Sequence, residues 1–527
     1  MANLIKIIVL PKCSVRSLSK RLYEKIYPHL IERINTAPPH LKLLHLPKNP
    51  VFSPLRSFFF LLSCLLLLAL ISYLTKESSI HLTDTCTFRF FDIKNYFLPT
   101  NDIKTDSVKN ILVQSQRIEK EIEADTNFVR IDTLKVLRAI KPIQMDKDFI
   151  SKIEYPNNHK EALKYFFNAL KNAPIKSTHI LYYGDSQIEE DRFSGFLREK
   201  LQQHFGGSGY GWLSFMPVTP WIYPKITYSD NWQKWGCYTT APIPDQIYGP
   251  MAQSFVFDSH KGKAVIHIGC NSSVFPSGCR FNKIKLFYGY AHEPVLIHYY
   301  HAQKKIWTDT LSSSSSLAKK EFAAPATDDI RLEIEGFESP YFYGLSLESY
   351  GPGVYVDNIA LRGSSGTFFH LIPADILREF FREQNVSLII LQFGGNAMPM
   401  IDNEEKANKY ARYIEAQIKT LKKIHPEVSI LFVGPSDMSV LIDGIWQTHP
   451  YLEIVNEKLK SVAIRHQCAY FDLYQTMGGK NSMRIWVQQN LAAKDYIHFS
   501  PAGARKMAAL LYYSLIKDFS DYEEQSF

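Results

Sequence analysis

The sequence predicts an α/β protein with a parallel sheet, interrupted by an all-β insert and preceded by one membrane-spanning helix. Three observations predict it. An uncharged apolar run lies near the N-terminus. Short apolar strands alternate with longer helical patterns in two separated regions, 151–209 and 351–520. Between them, over 210–350, β-patterned segments rich in aromatics, Thr, Ser, Gly and Pro replace the helices.

The apolar run, Ser57 to Leu74, holds 18 residues without a charge, between Arg56 and Lys76. As a helix it is about 27 Å long, enough for a hydrocarbon core of about 30 Å. More than 50 residues precede it and no small-residue cleavage site follows, which favours an uncleaved anchor at 55–75 over a signal peptide. The net charge of +8 is local: residues 1–56 hold 10 Lys+Arg against 2 Asp+Glu, and the remaining 471 hold 50 of each sign. A basic nucleic-acid groove in the main body has no support from that balance, so no nucleic-acid partner is expected. The basic segment 1–54 is instead expected in the cytoplasm, which puts everything beyond Lys76 outside the cytoplasm, at the inner membrane. Cys86, Cys237, Cys270, Cys279 and Cys468 would then be exported. Their number is odd and their spacing suits no metal; Cys270 and Cys279 are read either as a loop disulfide or as thiols.

Residues 76–150 read as a stem with one helix around Val108 to Ala124. A second helix covers His159 to Asn172, where Leu163, Phe166, Phe167 and Leu170 share a face. Strand, turn and helix follow at 178–183, 184–187 and 189–205. Val386 to Phe393 and Val428 to Val433 are continuous apolar runs of the kind found in buried parallel strands. Helices are expected at 404–424, 450–466 and 501–518. The insert carries strand patterns at Ala264–Ile268, Lys283–Tyr288 and Ile330–Ile334, and reads as a β-sandwich. The serine run 312–316 reads as an exposed loop.

Three segments carry chemistry. Gly184-Asp185-Ser186 ends a strand, so Ser186 presents a hydroxyl at the carboxyl edge of the sheet, where open α/β sheets bind ligands. Gly394-Gly395-Asn396 ends another and brings an amide to the same edge. Asp495 and His498 lie three positions apart before the helix opening at Pro501. That spacing lets a carboxylate hold Nδ1–H and leave Nε2 to deprotonate a serine. Taken singly, each segment is a turn or a helix cap; together, all at predicted element edges, they are specific. Asp185 is read as ordering its turn, and Gln187, Glu189 and Asp191 as groups favoured at a helix start. Gly206 to Gly211 lacks the following Lys-Ser/Thr of a phosphate loop and reads as a turn. Trp212, Trp221, Trp232 and Trp235 are read as core, with sugar stacking as the alternative.

In combination these segments resemble the SGNH (GDSL-type) esterases and acyl hydrolases. The resemblance covers 151–209 and 351–518 and implies a flavodoxin-like three-layer α/β/α fold. It implies Ser186, Asp495 and His498 as catalytic residues, with Ser186, Gly363 and Asn396 forming the oxyanion hole, where Gly363 in Arg362-Gly363-Ser364 supplies the second block. Neither metal nor organic cofactor is implied. The inserted sandwich and the stretch Tyr183 to Arg192 are similar to the bacterial peptidoglycan O-acetylesterases, in which the insert resembles a carbohydrate-binding module. The expected function is an exported, membrane-anchored esterase removing O-acetyl groups from peptidoglycan or another envelope polysaccharide. Two alternatives stand beside it: an O-acetyltransferase with the same triad, partnered by a membrane-bound O-acyltransferase, and a glycan-binding protein without catalysis.

Overall fold

The computed structural model describes residues 58–64, 79–83, 86–89, 105–124 and 153–525, apart from 219–223, 239–242, 244, 271–275, 302 and 325–328. In the N-terminal unit, residues 58–64 are helical, and the rest of the span expected at 55–75 lies outside the described residues, as does the basic segment 1–54. Among the described residues no helix is long and apolar enough to cross a membrane. Ser79–Thr83 and Cys86–Arg89 pair as an antiparallel hairpin in the same unit.

The second unit is built on one parallel sheet. Its strands are β1 (Thr178–Gly184), β2 (Val354–Ala360), β3 (Val386–Gln392), β4 (Ser429–Val433) and, past a hairpin of β5 (Ser439–Ile442) and β6 (Ile445–Thr448), β7 (Ala469–Phe471). They run β2-β1-β3-β4-β7, with the two-residue strand Ile153–Glu154 antiparallel on β7. That is the flavodoxin-like order, and its switch point lies between β1 and β3, where a crevice opens at the carboxyl ends.

The strands are apolar on both faces because both are covered. Along β1, Ile180 and Tyr182 join one core while Leu181 and Tyr183 join the other. The first core takes residues from α1 (Thr105–Ala124), α2 (Lys164–Asn172), α3 (Ser194–Phe205), α7 (Ser482–Gln488) and α8 (Pro501–Gln525). The second takes them from α4 (Ala374–Glu383), α5 (Glu404–Ile424) and α6 (Leu452–Arg465). The helices expected at 108–124, 404–424, 450–466 and 501–518 fall on α1, α5, α6 and α8. The helix expected over 189–205 is broken: Ser186–Asp191 is a 3₁₀ segment with Glu190 and Asp191 in the left-handed region, and α3 starts at Ser194.

Between α3 and β2 lie two antiparallel sheets. One orders Ser314–Ala323, Lys283–Ala291, Tyr341–Glu348, Gln253–Phe257 and Trp232–Gly236, with Gly211–Leu213 beside Tyr341–Glu348. The other orders Lys304–Leu311, Val295–His301, Asp329–Glu335, Ala264–Gly269 and Lys225–Tyr228. Ile284, Leu286, Phe255 and Phe342 from the first share an apolar cluster with Ile266, Ile297, Ile330 and Leu332 from the second. The first sheet also packs its other face on α4: Trp212 and Phe287 lie 5.2 and 5.1 Å, ring to ring, from Phe380. Trp212 and Trp232 are therefore buried core residues, unavailable for sugar stacking; Trp221 lies outside the described residues. The serine run is only partly loop, since a strand begins at Ser314. Cys270 and Cys279 are thiols, with Cys279 Sγ 3.9 Å from the Tyr210 hydroxyl.

Candidate active site

Four of the five predicted site residues converge on the switch point. Ser186 follows β1, Asn396 follows β3, and Asp495 and His498 occupy the loop before α8. Ser186 Oγ lies 2.8 Å from His498 Nε2, and His498 Nδ1 lies 2.8 Å from Asp495 Oδ2. Asp495 Oδ1 also accepts the backbone N–H groups of Ile497 (2.9 Å) and His498 (3.0 Å). One carboxylate thus fixes both the loop and the imidazole. Burial raises the Asp495 carboxyl, but the hydrogen bonds from the His498 ring and from these two amides outweigh it and hold the group below its usual value.

Local sequence explains the placement of Ser186. A Cβ on Gly184 would sit 2.9 Å from side-chain carbons of the buried Ile188, so a larger residue there would have to displace that side chain from beneath the turn. Asp185 caps the turn, its Oδ1 accepting the Gln187 N–H at 2.9 Å. Burial pushes its carboxyl up to about 6, against the pull of that N–H, of His498 and of the Asn396 amide. Gly394, at φ +138 and against Pro435, makes the equivalent turn before Asn396.

Gly363 sits on the turn after β2, at the same sheet edge, because Leu361 N–H donates to Gly184 O at 2.8 Å. It has φ +78, with open space where a side chain would stand. The turn is pinned from two sides. Asn396 Nδ2 donates to Ser364 O at 3.2 Å, and Arg362 grips Glu189 through two hydrogen bonds, Nε to Oε1 at 2.7 Å being one. Gly363 does not line the cleft holding Ser186, which has a volume of about 140 Å3 and is walled by Asn396, Pro399, Pro435, Met438 and His498.

Three residues read as helix-start groups do other work. Gln187 Nε2 donates to Ile497 O at 2.7 Å, next to His498. Glu189 is buried and carries the Arg362 pair. Asp191 is buried against Arg198, with Nη2 2.8 Å from Oδ1. Their partners lie distant in sequence or on the far side of a backbone break, so helical spacing gave no signal for them. Among the described residues, no group of three His, Cys, Asp or Glu side chains forms a metal-binding cluster.

Comparison with known proteins fits this geometry. Residues 335–506 match the GDSL-like Lipase/Acylhydrolase family, a segment holding Asn396, Asp495 and His498 and starting downstream of Ser186. No curated protein matches the chain. Among solved structures, a peptidoglycan O-acetylesterase superposes with a TM-score of 0.56 at 18% identity, over 71% of this chain and 100% of that one. An acetyl xylan esterase (15% identity, 30% of this chain and 80% of that one) scores 0.23. A family two carbohydrate esterase from Cellvibrio japonicus (11%, 56% and 99%) scores 0.20. Residues 335–506 are therefore a domain of the GDSL-like lipase/acylhydrolase family of ester-hydrolysing enzymes.

Proposed function

We propose that the protein is an exported serine esterase, anchored through residues 55–75 at the cytoplasmic membrane, that removes O-acetyl groups from peptidoglycan or another envelope polysaccharide. The observation that carries the reading is the hydrogen-bonded chain Asp495–His498–Ser186, with 2.8 Å at each link, set in a cleft at the carboxyl edge of the sheet.

His498 takes the Ser186 proton as Oγ bonds to the ester carbonyl carbon, and Asp495 steadies the imidazolium. The carbonyl oxygen gains the negative charge and faces the Ser186 N–H and the Asn396 amide, both of which line the cleft. Loss of one such donor typically costs about 10²–10³ in turnover. His498 then returns the proton to the departing sugar oxygen, and the C–O ester bond breaks. A water molecule, deprotonated by His498, then bonds to the acyl carbon; the acyl–Oγ bond breaks, His498 returns that proton to Ser186 Oγ, and acetate leaves. The small cleft, walled by Pro399, Pro435 and Met438, suits a short acyl group. Fold likeness to a peptidoglycan O-acetylesterase makes acetylated glycan the first substrate class to try. The charge asymmetry of residues 1–56 supports an extracytoplasmic site.

The test is acetate release by the purified full-length protein from O-acetylated peptidoglycan and from an aryl acetate, beside Ser186→Ala. Release that disappears in the variant is expected. Undiminished release in Ser186→Ala overturns the reading, and acetyl groups recovered on an added glycan acceptor instead of as acetate would make the enzyme a transferase.

A further inference from the structure

The loop that holds His498 is gripped by a hairpin that the mechanism above does not use. The hairpin β5–β6 leaves the sheet just beyond Met438, a wall of the cleft. Ser439 N–H at its start donates to Tyr496 O at 3.0 Å, and Trp446 on β6 stacks on the Tyr496 ring, with centroids 4.4 Å apart and planes 11° from parallel. Tyr496 lies between Asp495 and His498 and has φ +60, an uncommon conformation for a residue with a side chain, one that its surroundings must hold in place. The hairpin is itself rooted: Thr448 Oγ1 donates to Asp437 Oδ1 at 2.7 Å, and Thr448 N–H donates to Asn481 Oδ1 at 3.0 Å.

We propose that Trp446 is a positioning residue for His498, acting through its stack on Tyr496. The stack and the Ser439–Tyr496 hydrogen bond hold the left-handed turn, and the turn sets the imidazole between Asp495 and Ser186. The proposal rests on the serine-esterase reading and names a further residue for that site.

The test uses the full-length protein on an aryl acetate, with Ser186→Ala, Trp446→Ala, Trp446→Phe, Tyr496→Ala and the double variant Trp446→Ala/Tyr496→Ala. Misplacing a catalytic group by an ångström costs about 10²-fold, so Trp446→Ala is expected to lower kcat by about 10- to 100-fold while KM hardly moves. Trp446→Phe keeps a stacking ring and restores most of the rate. The double variant should be no worse than the worse single one, since both changes break one contact. The downfield proton signal of His498 Nδ1–H should broaden in Trp446→Ala, a readout that needs no substrate. Trp446→Leu serves if Trp446→Ala does not fold. Full kcat in Trp446→Ala, losses that multiply in the double variant, or a raised KM at constant kcat would each overturn the proposal. Retained hydrolysis in Ser186→Ala would instead sink the serine-esterase reading.

Discussion

The carboxamide of Gln187 brackets His498. Its Nε2 donates to the carbonyl of Ile497 at 2.7 Å, and its Oε1 accepts the N–H of Phe499 at 3.4 Å. The residue beside the nucleophile therefore holds the backbone on both sides of the base, although 310 positions separate Gln187 from Ile497. Nucleophile and base are registered to each other by this bracket as well as by their own hydrogen bond.

Gln187→Ala should thus lower kcat on an aryl acetate by about 10- to 100-fold with the fold intact. Gln187→Glu should do no better, because a carboxylate has no N–H to offer the Ile497 carbonyl and would face it with like charge. Steady-state kinetics with a thermal-unfolding control checks both. Wild-type kcat in either variant would show that the bracket is dispensable.

Asp495→Asn separates orientation from loop structure. An Asn Oδ1 still accepts the Ile497 and His498 amides, so the loop persists. Its Nδ2 donates where a carboxylate accepted, which forces the wrong imidazole tautomer. The expected loss in kcat is about 10⁴-fold, with little change in melting temperature. A loss under tenfold would remove Asp495 from the relay.

Ser186, Asn396, Asp495 and His498 were legible because each sits in a short motif at the end of an apolar strand or the start of a helix, and strand ends on one sheet edge meet in space. Gln187, Glu189 and Asp191 were not. Their identities fit a helix start, and what distinguishes them is a partner set brought together by the fold: Ile497, Arg362 and Arg198. The 3₁₀ segment itself hid from periodicity, since Glu190 and Asp191 take left-handed conformations that no amphipathic pattern encodes. Ile153–Glu154 escaped because two residues are too short for alternation to show. Trp212 and Trp232 followed the ordinary rule for large aromatics and went to the core.

Asp185 gives a stability signature. Its folded carboxyl is pushed by burial to about 6 from the usual 3.8. The folded protein therefore holds this proton more tightly than the unfolded chain, and stability falls as pH rises from about 4 to about 6. At about 1.4 kcal/mol per pH unit of separation the fall is about 3 kcal/mol. Asp185→Asn keeps the cap, since its Oδ1 accepts the Gln187 N–H, and cannot ionise. Urea unfolding at intervals between pH 4 and 7 should show the variant gaining on the wild type across that window. Parallel curves would refute the assignment.

A buried charge network joins the parallel sheet to the first antiparallel one. His179 Nδ1 on β1 lies 2.7 Å from Asp357 Oδ2 on β2, and its Nε2 lies 3.4 Å from Glu348 Oε1 at the end of Tyr341–Glu348. Lys285 reaches Glu348 Oε2 at 2.8 Å. Burial lowers the His179 pKa, but Asp357 and Glu348 outweigh it and raise the group above 6.5, whereas Glu348 is held well below its usual value, its own burial overcome by His179 and Lys285. A raised histidine contributes stability that is complete below its unfolded value of 6.5 and is lost as pH climbs through its folded one. His179→Gln leaves two buried carboxylates short of a cation and should cost about 3–5 kcal/mol near pH 6. Denaturant unfolding of both proteins should show that gap narrowing steadily above pH 6.5; a gap that instead widens as pH rises through 6.5 and then stays flat would mean that the ring is neutral in the folded protein.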